Sequence, residues 1–469
     1  MRKKKKAVYP ILENIEISAI AAEGKGLARV DNFVVFVEKA IPGDVVDAKI
    51  IRKKKDYALT EIYALKKPSD KRTEPFCSHF GTCGGCKWQH VLYASQLEFK
   101  EQLVKEAFRR IGKMELESSN PILGCEETTY YRNKLEFTFS DRVWLTREQI
   151  DSGELFDRNA LGFHAAGSFS AVLHITECYL QDEKVNSIRN AVYLFATEHA
   201  YSFYNLKFHE GLLRNLIFRN TTTGEWMVTV CFAEPNDEKI TALMDLLKTN
   251  YPFITSLNYI VNTKKNDTIY DQEVINYSGR DYILEQLGNI SYKISPKSFF
   301  QTNSKQAKHL YDIVKKMGGF SKDDLVYDLY CGTGSIALYI ADICRKVVGI
   351  EQIPAAIVDA TFNAVLNNID NSVFHAGTCE DILKEDFIDE FGMPDIVVVD
   401  PPRAGLHERV VQVLLQAAPK KIVYVSCNPA TQARDVLLFS EKYNVTQCQP
   451  VDMFPHTFHI ENVVLLELR

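Results

Sequence analysis

The chain has 469 residues, 46% of them hydrophobic and 25% charged, values of an ordinary globular protein that exclude a largely disordered or fibrous one. The net charge of −6, from 55 basic and 61 acidic residues, does not by itself suggest a nucleic-acid partner. No run approaches the ~20 apolar residues of a bilayer span, and the basic start Met1-Arg-Lys-Lys-Lys-Lys6 leads into no apolar stretch. No membrane partner and no secretory signal are therefore expected, and the expected location is cytoplasmic.

At roughly 100–200 residues per domain, two to four domains are expected. The charge is uneven. Residues 1–75 hold 17 Lys and Arg against 11 Asp and Glu, a net of +6. Short strand patterns follow one another there, over Ile15–Ile20, Gly26–Val30, Asn32–Val37, Asp44–Ile51 and Tyr57–Leu65. Gly and Asp turn signals separate them, which predicts a small β-barrel. Lys3–Lys6, Arg52–Lys55 and Lys66-Lys67 rim it, a way to hold an RNA backbone. A cysteine-bearing loop spans 68–92. Ser95–Gly112 then carries the apolar spacing of an amphipathic helix.

Residues 125–290 read as an α+β region. Tyr131–Phe139 is a strand pattern, Leu213–Asn220 and Glu225–Phe232 flank the turn Thr221–Gly224 as a hairpin, Pro235–Lys248 is helical, and Ser256–Asn262 is a strand. From about residue 291 the pattern changes. The helix Ser304–Lys316 precedes the buried-type strands Leu325–Leu329, Lys346–Ile350, Asp395–Val399 and Lys421–Val425, and helical patterns lie between them. This alternation predicts an α/β doubly wound parallel sheet. Asn462–Leu468 adds a last apolar strand.

Four motifs in this half carry chemistry. Leu325–Ser335 is an apolar strand ending in Asp328, then Tyr330-Cys-Gly-Thr-Gly334 and a helix, a loop that lets a ligand approach the backbone. Glu351 closes the next strand, where a carboxylate suits ribose hydroxyls. Position 337 is Ala, so the third glycine of the dinucleotide fingerprint is missing and the loop looks more like that of S-adenosylmethionine (SAM) methyltransferases. Asp395–Gly405 contains Asp400-Pro-Pro-Arg403, and its prolines fix the chain as it leaves a buried strand. Arg403 stands where base-modifying amino-methyltransferases carry an aromatic, which argues against amine methylation. Ser426-Cys427-Asn-Pro-Ala-Thr431 places a thiol just past the next strand, where a nucleophile is useful. Asp452–Asn462 brings His456, His459 and Glu461 ahead of the final strand. The histidines are candidate metal ligands or, more simply, orienting groups, and Glu461 is the candidate base.

Cys77, Cys83 and Cys86 crowd into ten residues of an eleven-cysteine chain. In a cytosolic setting this pattern points to a metal or cluster site rather than disulfides. Zinc would accept a fourth thiolate or His79 or His90, and a four-iron cluster would take four cysteines.

With these motifs together, the sequence resembles the RNA uracil-5-methyltransferases over nearly its whole length. It is most similar to those that make 5-methyluridine in 23S ribosomal RNA and carry an iron–sulfur cluster. The resemblance implies a Rossmann-like SAM methyltransferase domain over 291–469. It further implies a TRAM-type (OB-like) RNA-binding barrel over 1–67 and a central α+β domain with the cysteine loop over 68–290. Glu177-Cys178-Tyr-Leu180 matches the context of a fourth cluster ligand, which implies Cys77, Cys83, Cys86 and Cys178 around a [4Fe–4S] cluster. Ser295-Pro-Lys-Ser-Phe-Phe-Gln301-Thr-Asn303 matches the family's segment at the SAM site. Gln301, Tyr330, Glu351 and Asp400 then fall on cofactor positions, Phe299 on a base-stacking position, Cys427 on the nucleophile and Glu461 on the base. The partner implied is RNA, 23S ribosomal RNA first and tRNA uridine-54 second; apart from the resemblance, a monomer is expected. A non-catalytic assembly factor with a retained methyltransferase fold is the rival from another class.

Overall fold

A computed structural model describes residues 9–168 and 170–469; the basic run Lys3–Lys6 lies outside the described residues. The N-terminal sheet has six strands in the order Ile11–Glu16, Val45–Lys53, Tyr57–Lys67, Phe33–Glu38, Gly26–Val30, Ala19–Ile20. The expected strand Ile15–Ile20 is therefore two strands at opposite ends of one sheet. The Ile17 N–H donates to the Asp44 carbonyl and the Ser18 N–H to the Leu27 carbonyl, each at 2.9 Å. Successive residues thus bond to different strands. Apolar alternation continues through this corner, with Ile15 and Ile17 both buried, so hydrophobic pattern alone does not reveal it. The corner rolls the sheet around Ala28, Val35, Val37 and Val46. Arg52, Lys53, Lys66 and Lys67 stay exposed on strand ends.

The central sheet has seven strands, Ile275–Gly279, Ser256–Val261, Trp226–Phe232, Leu213–Asn220, Lys134–Ser140, Ala160–His164 and Val172–His174. Every pairing is antiparallel except that of Trp226–Phe232 with Ser256–Val261. Helices Lys184–Glu198 and Asp237–Asn250 cover one face, and Val185, Ile188, Leu243 and Leu247 enter its core. The anticipated hairpin around Thr221–Gly224 is present.

The third sheet runs Ser372–Ala376, Lys346–Glu351, Leu325–Leu329, Ile396–Val399, Lys421–Ser426, Glu461–Leu468, Tyr443–Val451. Its first five strands are parallel and the last two antiparallel. Chain order reverses between Leu325–Leu329 and Ile396–Val399, the switch point at which open α/β sheets bind ligands. The hairpin Ile283–Leu287 with Ile290–Ile294 buries Ile283, Leu287 and Tyr292 in the same core as Tyr311 and Val326. Helix Tyr93–Arg110 sends Val104 and Phe108 into the core on the other face of this sheet. Lys100 and Asp452, both fully buried, pair at 2.6 Å and fasten that helix to the segment before the last strand. Among the described residues no helix is long and apolar enough to cross a membrane.

Candidate active site

Parallel strands deliver their carboxyl ends to one edge of the sheet. Along that edge, in spatial order, stand Glu351, the loop from Tyr330 to Gly334, Asp400 and Cys427. The strand Glu461–Leu468 runs the other way, so its first residue arrives at the same edge. Ser426 lies opposite Asn462, and one further step of that register makes Cys427 level with Glu461. Five sequence candidates are thus aligned by strand ends alone.

The loop is shaped for a ligand. Gly332 (φ 56°) and Gly334 (φ 75°) take left-handed conformations that glycine adopts at little cost. A Cβ at Gly332 would meet nothing within 4 Å, whereas one at Gly334 would lie 2.9 Å from the Phe374 ring. Tyr330 is also left-handed (φ 65°), strain of the kind that concentrates at functional sites. The Glu351 carboxylate accepts the Gly332 N–H at 3.2 Å and the Ile353 N–H at 3.0 Å. Buried Asp328 accepts the Ala337 N–H at 2.9 Å, and burial lifts its carboxyl to about 8. Its other oxygen has no hydrogen-bond partner.

Gln301 and Phe299 lie on a separate segment that leads into helix Ser304–Gly318. Gln301 is buried and its carbonyl accepts Asn133 Nδ2 at 2.8 Å. The Ser298 hydroxyl donates to Asp359 at 2.6 Å. Phe299 between them is 66% exposed, unusual for an aromatic flanked by anchored neighbours. Tyr311 of the same helix lies beneath the row, raised by burial and by the nearby charges of Asp400, Asp328 and Glu461.

Burial, then the charges of Glu461 and Asp400, push the half-buried Cys427 thiol up to about 11. Burial lifts Asp400 to about 7. Burial first and Asp400 second raise Glu461 well above the carboxylate range. Arg403 opposes both shifts, by charge at Glu461 and by charge and a hydrogen bond at Cys427. It is a site residue to which the sequence reading gave no role, because the acid and the thiol that it meets lie far along the chain. Asn428 Nδ2 (3.0 Å) and Thr431 Oγ1 (3.2 Å) hold its carbonyl. Its Nη2 reaches His459 Nδ1 at 3.2 Å. Burial and Arg403 hold His459 down at about 4, so it is a neutral acceptor. His456 serves a different partner: its Nδ1 lies 3.2 Å from Gln96 Nε2, and its backbone N–H donates to Gln96 Oε1 at 2.8 Å. The two histidines orient neighbours rather than share a ligand.

The cysteine loop docks on this segment, since the N–H groups of Lys87 and Trp88 donate to the His456 carbonyl at 2.8 and 2.9 Å. Cys77, Cys83, Cys86 and Cys178 line one small cavity walled by Phe80, Phe163 and Leu180. Burial, then neighbouring thiols, push Cys83 up to about 11 and Cys86 up to about 12. His79 Nε2 is engaged with Thr176 at 3.3 Å and His90 Nε2 with the Lys39 carbonyl at 3.0 Å. Among the described residues no three His, Cys, Asp or Glu groups close on one metal-ion position, as zinc with its ~2.3 Å Zn–S bonds would require. Four thiols are the donor types an iron–sulfur cluster takes, and they too are not closed on one metal position among the described residues.

Comparison with known proteins identifies the family. The family described as tRNA (Uracil-5-)-methyltransferase matches residues 93–469, and the TRAM domain matches 13–62. An uncharacterized RNA methyltransferase of Bacteroides thetaiotaomicron is 51% identical, over 96% of this chain and 100% of that one. One of Chlorobaculum tepidum is 40% identical over 91% and 89%. Among solved structures, the Pyrococcus abyssi tRNA (uracil-54, C5)-methyltransferase in complex with S-adenosyl-L-homocysteine superimposes with a TM-score of 0.75 at 30% identity, covering 96% of this chain and 99% of that one.

Proposed function

The chain belongs to the tRNA (uracil-5-)-methyltransferase family and is a SAM-dependent RNA methyltransferase, and from that premise we propose that it methylates carbon 5 of a uridine in 23S ribosomal RNA through a covalent adduct on Cys427. The observation that carries the mechanism is the register that sets Cys427 level with Glu461, beside Asp400 and the glycine loop.

Carbon 5 of uracil is a poor nucleophile. The Cys427 thiolate adds to carbon 6, which makes carbon 5 reactive toward the methyl of SAM. Glu461 then takes the carbon 5 proton, and the thiolate leaves. Arg403 steadies the thiolate before attack. Gln301, Tyr330, Glu351 and Asp400 hold the donor, and exposed Phe299 stacks on the flipped uridine or its neighbour. Cys77, Cys83, Cys86 and Cys178 would hold a [4Fe–4S] cluster; when bound, it supplies a rigid thiolate-ligated anchor for the loop. The proposed division is a barrel over 1–67, a central domain over 68–290 and a catalytic domain over 291–469, working as a cytoplasmic monomer.

The four-cysteine cavity favours ribosomal RNA. A second reading, tRNA uridine-54, is favoured by the likeness to the P. abyssi enzyme. Mass-spectrometric mapping of 5-methyluridine in RNA from cells with and without the gene separates the two. With in vitro transcribed RNA, Glu461→Gln should accumulate a protein–RNA adduct on a denaturing gel and Cys427→Ala should form none. Turnover by Cys427→Ala would sink the covalent route.

A further inference from the structure

A second concave site lies on the other side of the cysteine loop. This cleft of about 400 Å³ is walled by Ser78, His79 and Thr82 of the loop and by the central domain. Trp144, Phe156 and Tyr193 supply aromatic wall, and Gln149, Asp157 and Asn159 supply polar groups. The Tyr193 and His174 rings lie 4.1 Å apart at 39°. The Tyr193 hydroxyl donates to Asp157 Oδ2 at 2.9 Å, which fixes one wall.

The chemistry narrows the ligand. His79 Nε2 is engaged with Thr176 and His174 Nδ1 accepts the Leu161 N–H at 3.2 Å, so the imidazoles do not form a metal site. Flat π faces with amide and carboxylate groups beside them match a nucleobase, which stacks by its face and bonds by its edge. The cleft also adjoins the four-cysteine cavity and the barrel. His79 lines both it and the four-cysteine cavity. Lys39 of the barrel donates to the Gly81 carbonyl at 2.8 Å, and the loop's far end is bonded to His456, close in sequence to Glu461.

We infer that this cleft receives one unpaired nucleobase of the RNA substrate, away from the uridine being methylated, with Trp144 and Tyr193 as its aromatic walls. The cysteine loop is then one wall of a base pocket, which gives the four-cysteine cavity a role in RNA binding. The inference rests on the RNA substrate proposed above.

Tryptophan fluorescence reads it directly. The chain has three tryptophans, and Trp88 and Trp226 are only 1% and 3% exposed. Titrating the full protein with 23S ribosomal RNA fragments or tRNA should quench Trp144. Trp144→Phe should abolish the quench and keep the affinity within about threefold. Trp144→Ala should weaken RNA binding roughly 5- to 150-fold, the range of one base–aromatic stack, with SAM affinity and melting temperature unchanged. A quench that survives in Trp144→Phe, or a Trp144→Ala protein that binds RNA as tightly as wild type, overturns the base pocket alone. A wild-type protein that binds neither RNA overturns the substrate reading and the pocket with it.

Discussion

Two groups of cysteines are positioned by different physics. Cys427 stands at the end of a central parallel strand, and the hydrogen-bond ladder that fixes Ser426 opposite Asn462 also fixes its distance from Glu461. Cys77, Cys83 and Cys86 stand on an irregular loop, closed on itself by the isolated bridge of Arg72 with Val91 and joined to the central sheet region by that of Cys83 with Ala165. Cys178 reaches them from another connection, just ahead of helix Lys184–Glu198. The row of strand-end residues is therefore set by the sheet itself. The four-thiol cavity is a converging set of loops in which burial holds the cysteines as neutral thiols.

That contrast breaks first at the cysteines themselves. Cys427→Ala should reduce methyl transfer by about 10⁴-fold or more, as expected for loss of an activated nucleophile, with an unchanged melting midpoint. Cys178→Ser should do the reverse. It should strip any iron–sulfur colour and lower the midpoint, by roughly 2–4 °C per kcal/mol lost, while SAM still binds. Equal thermal losses in the two variants, seen by calorimetry, would erase the distinction.

The fastening between the two regions is the next largest effect. Lys100 and Asp452 are both fully buried, and Tyr93 adds a hydrogen bond to Asp452 at 3.0 Å. Lys100→Met leaves that carboxylate without its cation and should cost about 3–5 kcal/mol. Adding Asp452→Asn should restore part of the loss in urea unfolding. If the double variant is no better than the single one, the uncompensated charge is not the cause.

Asp400 gives a smaller, pH-dependent effect. Burial raises its carboxyl from 3.8 to about 7, so between those values the folded chain keeps a proton that the unfolded chain has released. Its contribution is complete below pH ~3.8 and is lost as pH rises to about 7, a decline on the order of 1–4 kcal/mol. Asp400→Asn carries no such proton. The gap in melting temperature between Asn and Asp proteins should widen from pH 4 to 7 and then level off. A gap independent of pH would mean that Asp400 already ionises at its ordinary value.

The same division explains what the sequence makes legible. Buried parallel strands are short apolar runs with abrupt ends, so Asp400, Cys427 and Glu351 were readable as strand-end residues and their alignment followed from the fold class. The corner at Ile17-Ser18 was not readable, because apolar alternation passes through it unbroken. Nor were the strands Ala160–His164, Val172–His174 and Ser372–Ala376, which are short and lie at or near sheet edges, where half-exposed residues blur the period. Arg403 was visible only as a departure from an aromatic. Its role depends on His459, 56 residues later, and no local pattern encodes that meeting.

Arg403 provides the smallest and sharpest test. It is the cation that opposes burial, Glu461 and Asp400 at the Cys427 thiol, so removing it raises that thiol further. Alkylation proceeds through the thiolate, and each unit by which the thiol rises lowers the thiolate fraction tenfold when pH lies below about 11. Arg403→Ala should therefore slow iodoacetamide labelling of Cys427 by roughly tenfold at pH 8, and the rate should approach wild type only in strong alkali. Arg403→Lys keeps the charge but loses the planar fork that reaches His459 and should fall between the two. Faster labelling of Arg403→Ala would show that the guanidinium shields the sulfur more than it stabilises the thiolate.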